Sequence, residues 1–121
     1  ETASWTAFGS GHFLDRETLE HDLRHYLNEQ AQPGDPRISP LRAERLDGLP
    51  PACIHTAECD PLRDEAEDYA ARLENAGVAT SYRCHSGMIH LFYALGAVIP
   101  YGAEAYRHMG ADIRALLERA S

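Results

Sequence analysis

Residues 51–64 read Pro51-Ala52-Cys53-Ile54-His55-Thr56-Ala57-Glu58-Cys59-Asp60-Pro61-Leu62-Arg63-Asp64, and their reading decides the fold. Ala52–Cys59 is short, mostly small or apolar, and bounded by Pro-Pro before it and Asp-Pro after it. This pattern predicts a strand buried on both faces, as parallel strands are. Helical spacing follows: Ala66, Tyr69, Ala70, Leu73 and Ala76 share one face, and Gly77 supplies a left-handed stop. Residues 79–85 then set Tyr82 and Cys84 against Ser81, Arg83 and His85, the alternation of a half-buried strand. After a loop containing Gly87, Pro100 precedes a last helix with Tyr106, Met109, Ile113, Leu116 and Leu117 in register. Residues 51–121 thus read as a βαβα unit of the α/β class, with parallel strands and a right-handed crossover.

Upstream the signals are weaker. Residues 1–14 hold aromatics and small residues without a clear period and read as loop, with Trp5, Phe8 and Phe13 anchoring it. Asp15 is a good N-cap, and Leu19, Leu23, Tyr26 and Leu27 form an apolar stripe on a charged helix. Five of the seven prolines fall between Pro33 and Pro51, so that stretch reads as a connector crossing the surface. The chain therefore divides into a helix and connector (residues 1–50) and the βαβα unit (residues 51–121).

Length and charge limit the function. At 121 residues the chain makes one domain at most. Lys+Arg 11 against Asp+Glu 19 gives a net charge of −8, which disfavours nucleic acid and anionic lipid as partners. The absence of a long apolar run excludes a membrane-spanning helix. Cys53, Cys59 and Cys84 are odd in number and lack C-x-x-C spacing, so they read as reduced thiols filling a core in a cytoplasmic protein.

Ligands of open parallel sheets bind beyond the carboxyl ends of the strands. Asp60 closes the first strand there, and His90 follows the second, so both loops leave one edge. A carboxylate that accepts from one ring nitrogen fixes the histidine tautomer and leaves the other nitrogen as a base. Asp60 as a helix N-cap, with Pro61 opening the helix, is the competing structural reading, and Asp64 reads as a first-turn carboxylate. His21 and His25 share a helix face around Asp22, but no third ligand is evident, and a solvated charged face is the better reading. Cys84 and His85 are strand neighbours pointing to opposite faces, so they cannot pair as nucleophile and base. The sequence calls for no metal and no cofactor.

These residues carry a resemblance. Residues 48–67, GLPPACIHTAECDPLRDEAE, together with the Tyr69-Ala70-Ala71-Arg72-Leu73 helix, resemble the acid-bearing segment of α/β-hydrolases of the hormone-sensitive-lipase-like branch. Residues 87–92, GMIHLF, are similar to that family's G-M-x-H-G-F histidine loop, and residues 35–41, DPRISPL, to its D-P-x-x-S-P-L segment. The resemblance implies an α/β-hydrolase fold, a carboxylic-ester hydrolase or lipase acting on a small acyl ester, Asp60 as triad acid and His90 as triad base. Leu91 stands where the family has Gly. The family's G-x-S-x-G nucleophile elbow is missing, since none of the six serines is flanked by glycines at the required spacing, and no H-G-G stretch supplies oxyanion donors. A complete hydrolase needs roughly twice this length. The chain, which opens at Glu1, is therefore expected to be the C-terminal portion of an esterase, inactive alone and a homo-oligomer through its unpaired strand. The alternative is a non-catalytic α/β association module or degenerate hydrolase.

Overall fold

The computed structural model describes residues 1–27 and 34–119. Its elements run α1 (Ala3–Phe8), α2 (Arg16–Tyr26), a 3₁₀ turn (Pro40–Arg42), β1 (Ala52–Cys59), α3 (Arg63–Asn75), β2 (Thr80–Ile89), a second 3₁₀ turn (Phe92–Leu95) and α4 (Gly102–Arg119). β1 and β2 pair in parallel, as the intervening helix requires. Among the described residues they make the only sheet. No described helix is long and apolar enough to cross a membrane.

Each face of the sheet carries its own core. On one face, Leu73 of α3 packs with Val78 and Leu46, and Ile54 and Tyr69 close around them. Burying a side chain such as Leu73 is worth about 1.5–3 kcal/mol. α3 ends as its sequence dictates. Gly77 takes φ +79°, its N–H donates to the Glu74 carbonyl, and the Val78 N–H donates to the Leu73 carbonyl. This is a Schellman cap, with the Val78–Leu73 contact that accompanies it. On the other face, Ala57, Phe92 and Ala105 form a second cluster beneath α4.

Several elements differ from the sequence reading. Residues 3–8 are helical where a loop was expected, because Thr2 caps the Trp5 N–H and Ser4 bonds to the start of α3. In β1 only Thr56 and Ala57 are fully buried, since each face receives a single described helix and one edge of the strand has no described neighbour. β2 runs past residue 85 to Ile89, through a bulge. Its buried residue is His85, while Cys84 is exposed, so this thiol does not fill a core. α3 begins at Arg63, so neither Asp60 nor Pro61 is its N-cap or first residue. Asp15 does precede α2, but its carboxylate turns back to accept the Gly11 N–H. α2 buries none of its residues, and its stripe residues Leu23 and Tyr26 are exposed. The connector is partly internal: Leu46 is buried, and Arg72 of α3 donates to the carbonyls of Leu41 and Ala43. Pro33 lies outside the described residues.

α4 is held to the sheet by a polar network. The His55 and His85 rings share a 2.9 Å Nδ1···Nε2 hydrogen bond, and His85 Nδ1 meets the Tyr101 hydroxyl at 3.0 Å. Asp112 of α4 accepts both arms of the Arg83 guanidinium and lies 3.7 Å from His55 Nε2. Burial pushes both histidines below their ordinary value, with Arg83 and His108 adding repulsion that Asp112 opposes. The shared bond needs one donor and one acceptor, which two protonated rings cannot supply.

The sign of the pH effect follows. An unfolded imidazole takes up its proton near pH 6.5, and the folded pair does so lower, so the unfolded state binds more protons in between. Stability from this pair is complete above the unfolded value and declines as pH falls below it. Melting temperature should therefore drop between about pH 7 and 5.5, and His85→Gln, which keeps a donor and an acceptor, should flatten the drop. An equally steep decline in His85→Gln would contradict the assignment.

Candidate active site

The two loops that follow β1 and β2 leave the same edge and meet. His90 Nδ1 lies 2.8 Å from Asp60 Oδ2. An ionised carboxylate can only accept, so Nδ1 donates, and in the neutral ring Nε2 is then the nitrogen without a proton. No described residue bonds Nε2. Asp60 is buried, with 7% of its surface exposed, whereas His90 remains about one-third open to solvent. The second carboxylate oxygen, Oδ1, accepts the Leu62 N–H at 2.9 Å. One aspartate thus orders the turn into α3 and engages the histidine. The N-cap reading of Asp60 is not met, since Leu62 holds that place, and its structural part is this turn contact.

Asp64 does something different. Its carboxylate pairs with Arg63 at 2.8 Å and accepts the Ser4 N–H at 2.7 Å. The Ser4 hydroxyl accepts the Asp64 N–H and donates to the Pro61 carbonyl. Ser4 is wholly buried, so α1 is sewn to the start of α3. These bonds hold the Asp64 carboxyl below its usual range against the opposing effect of burial. The sequence placed two aspartates in one short run, and only Asp60 reaches the imidazole.

A pocket of about 200 Å³ opens beside the pair, lined by Leu62, Ala66, His90, Leu91 and Tyr93 among others. Arg63 also borders it and ties α3 to β1 by donating to the Glu58 carbonyl. The other sequence candidates lie elsewhere. His21 and His25 contact each other edge-to-face on exposed α2, with ring centroids 4.4 Å apart. Among the described residues no group of three or more His, Cys, Asp or Glu side chains could hold a metal ion. Trp5 lies under the Arg16 guanidinium and Phe8 under that of Arg63, while Phe13 is exposed.

Sequence reasoning missed one feature of this edge. Ala57 pairs with His85, but Cys59 pairs with Ile89, so Glu58 alone faces residues 86–88. Gly87 sits in this bulge at φ +70°. An isolated glycine inside an alternating run is the signal that could have shown it.

Comparisons with known proteins show the family. A family model described as alpha/beta hydrolase fold matches residues 1–94. The chain belongs to that family. This α/β-hydrolase chain is 38% identical to the carboxylic ester hydrolase LipN of Mycobacterium tuberculosis, over 98% of this chain and 32% of that protein. It is 40% identical to the ethyl acetate hydrolase of Pseudomonas putida, over 76% of this chain and 29% of that protein. The solved structure of EstE1, a thermostable carboxylesterase from a metagenomic library, superposes with a TM-score of 0.85 at 38% identity. That match covers 96% of this chain and 40% of EstE1. The chain spans about a third of the length of the curated relatives it matches.

The glycine that the resemblance placed after the histidine has a physical reason. Leu91 adopts φ +58° and ψ +15°, the left-handed region, which turns the chain from β2 into the Phe92–Leu95 turn. A side chain there costs roughly 1–2 kcal/mol relative to glycine. Glycine forfeits part of that gain by loosening the unfolded chain. Leu91→Gly should therefore be neutral or stabilising by up to about 1 kcal/mol, whereas Leu91→Val should lose about 1 kcal/mol or more. Urea midpoints in the reverse order would show that the loop does not carry this strain.

Proposed function

We propose that this chain supplies the acid and the base of a Ser-Asp-His triad in a carboxylic-ester hydrolase of the esterase/lipase type. The observation that carries the reading is the 2.8 Å bond from His90 Nδ1 to buried Asp60, beside a pocket on the carboxyl edge of a parallel sheet. The esterase names of the relatives support it. In this reading His90 Nε2 takes the proton of a serine hydroxyl as the hydroxyl attacks the ester carbonyl. It then returns the proton to the departing alcohol. Asp60 holds the ring in place and stabilises the imidazolium formed between those steps.

The nucleophile has to come from residues outside this sequence, because no serine here stands in a G-x-S-x-G elbow. Docking of that remaining part fits the edge of β1 that has no described neighbour, since an unpaired strand edge is a template for pairing. On its own, the chain should pair that edge with another copy and form a homo-oligomer. The substrate class is a small acyl ester. The three thiols, none of them in a disulfide, fit a reducing compartment such as the cytoplasm.

Two outcomes test the reading. The 121-residue chain alone should not hydrolyse p-nitrophenyl acetate above a denatured control, and turnover blocked by a serine-directed phosphonate would overturn that expectation. In the longer esterase, His90→Ala should lower kcat by several orders of magnitude. Asp60→Asn should lower it by up to about 10⁴. Asp64→Asn should instead cost about 2 kcal/mol of stability through its bonds to Ser4 and Arg63, and far less activity. Loss of activity in Asp64→Asn with Asp60→Asn spared would overturn the assignment and make Asp64 the acid.

A further inference from the structure

We propose that Glu58 is a positioning residue for His90, acting by clamping the β2 bulge that brings the histidine level with Asp60. This inference rests on the reading of Asp60 and His90 as acid and base. Up to Ala57 opposite His85 the two strands run in step. Continued unchanged, that register would set Met88 level with Asp60 and leave His90 two residues farther on. At the rise of a strand this is a displacement of about 7 Å, too far for a hydrogen bond. Instead, residues 86–88 of β2 face Glu58 alone, and the ladder resumes with Cys59 opposite Ile89. The next residue on each strand is then Asp60 and His90, and they bond.

The Glu58 side chain holds the extra length. Its Oε2 accepts the Ser86 hydroxyl at 2.7 Å and the Gly87 N–H at 2.6 Å. The Gly87 N–H is a backbone donor that the bulge takes out of the ladder, and a carboxylate bonds it and the Ser86 hydroxyl more strongly than a neutral acceptor would. The same bonds hold the Glu58 carboxyl below its usual range. Gly87 makes the bulge possible by taking φ +70°. On the backbone side, the Glu58 carbonyl accepts from Arg63, so the residue is fixed at both ends. It touches neither Asp60 nor His90, and its effect passes through the strand.

The test uses two proteins and three variants. In the 121-residue chain, proton NMR follows the His90 ring N–H bonded to Asp60 and the exchange of the Gly87 amide. In the longer esterase, kcat and KM are measured. A single oxygen accepts both bonds, so Glu58→Gln can retain them in weaker form and should keep the bonded His90 proton and kcat close to native. Glu58→Ala should lose protection at Gly87 and the bonded His90 proton. Its kcat should fall on the order of 10²-fold with KM nearly unchanged, the penalty of a misplaced catalytic group. Should Glu58→Ala fail to fold, Glu58→Asp decides, because it is one methylene short of the bulge and should show the same losses. A native His90 proton signal and native kcat in Glu58→Ala, or in Glu58→Asp, overturns the inference. Loss of the signal with native kcat would leave Glu58 as the clamp and instead sink the acid–base reading.

Discussion

Two parallel strands release their following loops at the same edge of a sheet, and in this chain they do so with a step built into one of them. The pairing of β1 and β2 decides which residues meet beyond that edge. Asp60 follows β1 directly and is held there, its other oxygen bonding the turn into α3 and Pro61 behind it wholly buried. His90 follows β2 and needs the bulge to arrive at the same level. The left-handed Leu91 then turns the chain back under α4, where Phe92 is buried against Ala57 and Ala105. Strand register, bulge and turn act in series, and the geometry of the pair is their sum.

The two faces of the sheet stabilise this edge by different means. On the α3 side the core is apolar, with Leu46 drawn in from the connector. On the α4 side apolar packing is joined by the imidazole pair and by the Arg83–Asp112 bridge. His85 also lies against Phe92, with ring centroids 4.9 Å apart, so the polar network supports the turn that follows His90. Buried hydrogen-bonded groups of this kind demand one arrangement of donors and acceptors, which restricts how α4 can sit.

The sequence carried the two strands and the helix between them because each had strong local punctuation: Pro-Pro before β1, Asp-Pro after it, and Gly77 at the end of α3. Asp60 and His90 were legible for the same reason, since chain order and parallel pairing alone place them on one edge. What escaped depended on contacts distant in sequence. α1 is helical because Ser4 finds Asp64, and nothing within residues 1–14 announces that partner. The buried face of β2 was inverted because a strand pattern of polar against apolar residues ranks His85 as outward. A histidine that finds His55 and Tyr101 as partners can be buried without an unpaired group. The bulge was hidden in the residues read as a loop, where Gly87 looked like a turn. The family relationship places the chain among α/β hydrolases, of whose curated members it spans about a third of the length.

The central claim is that Asp60 fixes His90 with its Nδ1 protonated and its Nε2 bare. Heteronuclear NMR of the chain labelled with ¹⁵N-histidine reads this directly, since the two ring nitrogens give distinct shifts in each tautomer. At a pH where His90 is neutral, the account predicts a single Nδ1–H tautomer that reverts to the Nε2–H form, or to a mixture, in Asp60→Asn. An Nε2–H tautomer in the native chain would contradict it, because the nitrogen required as a base would already carry a proton.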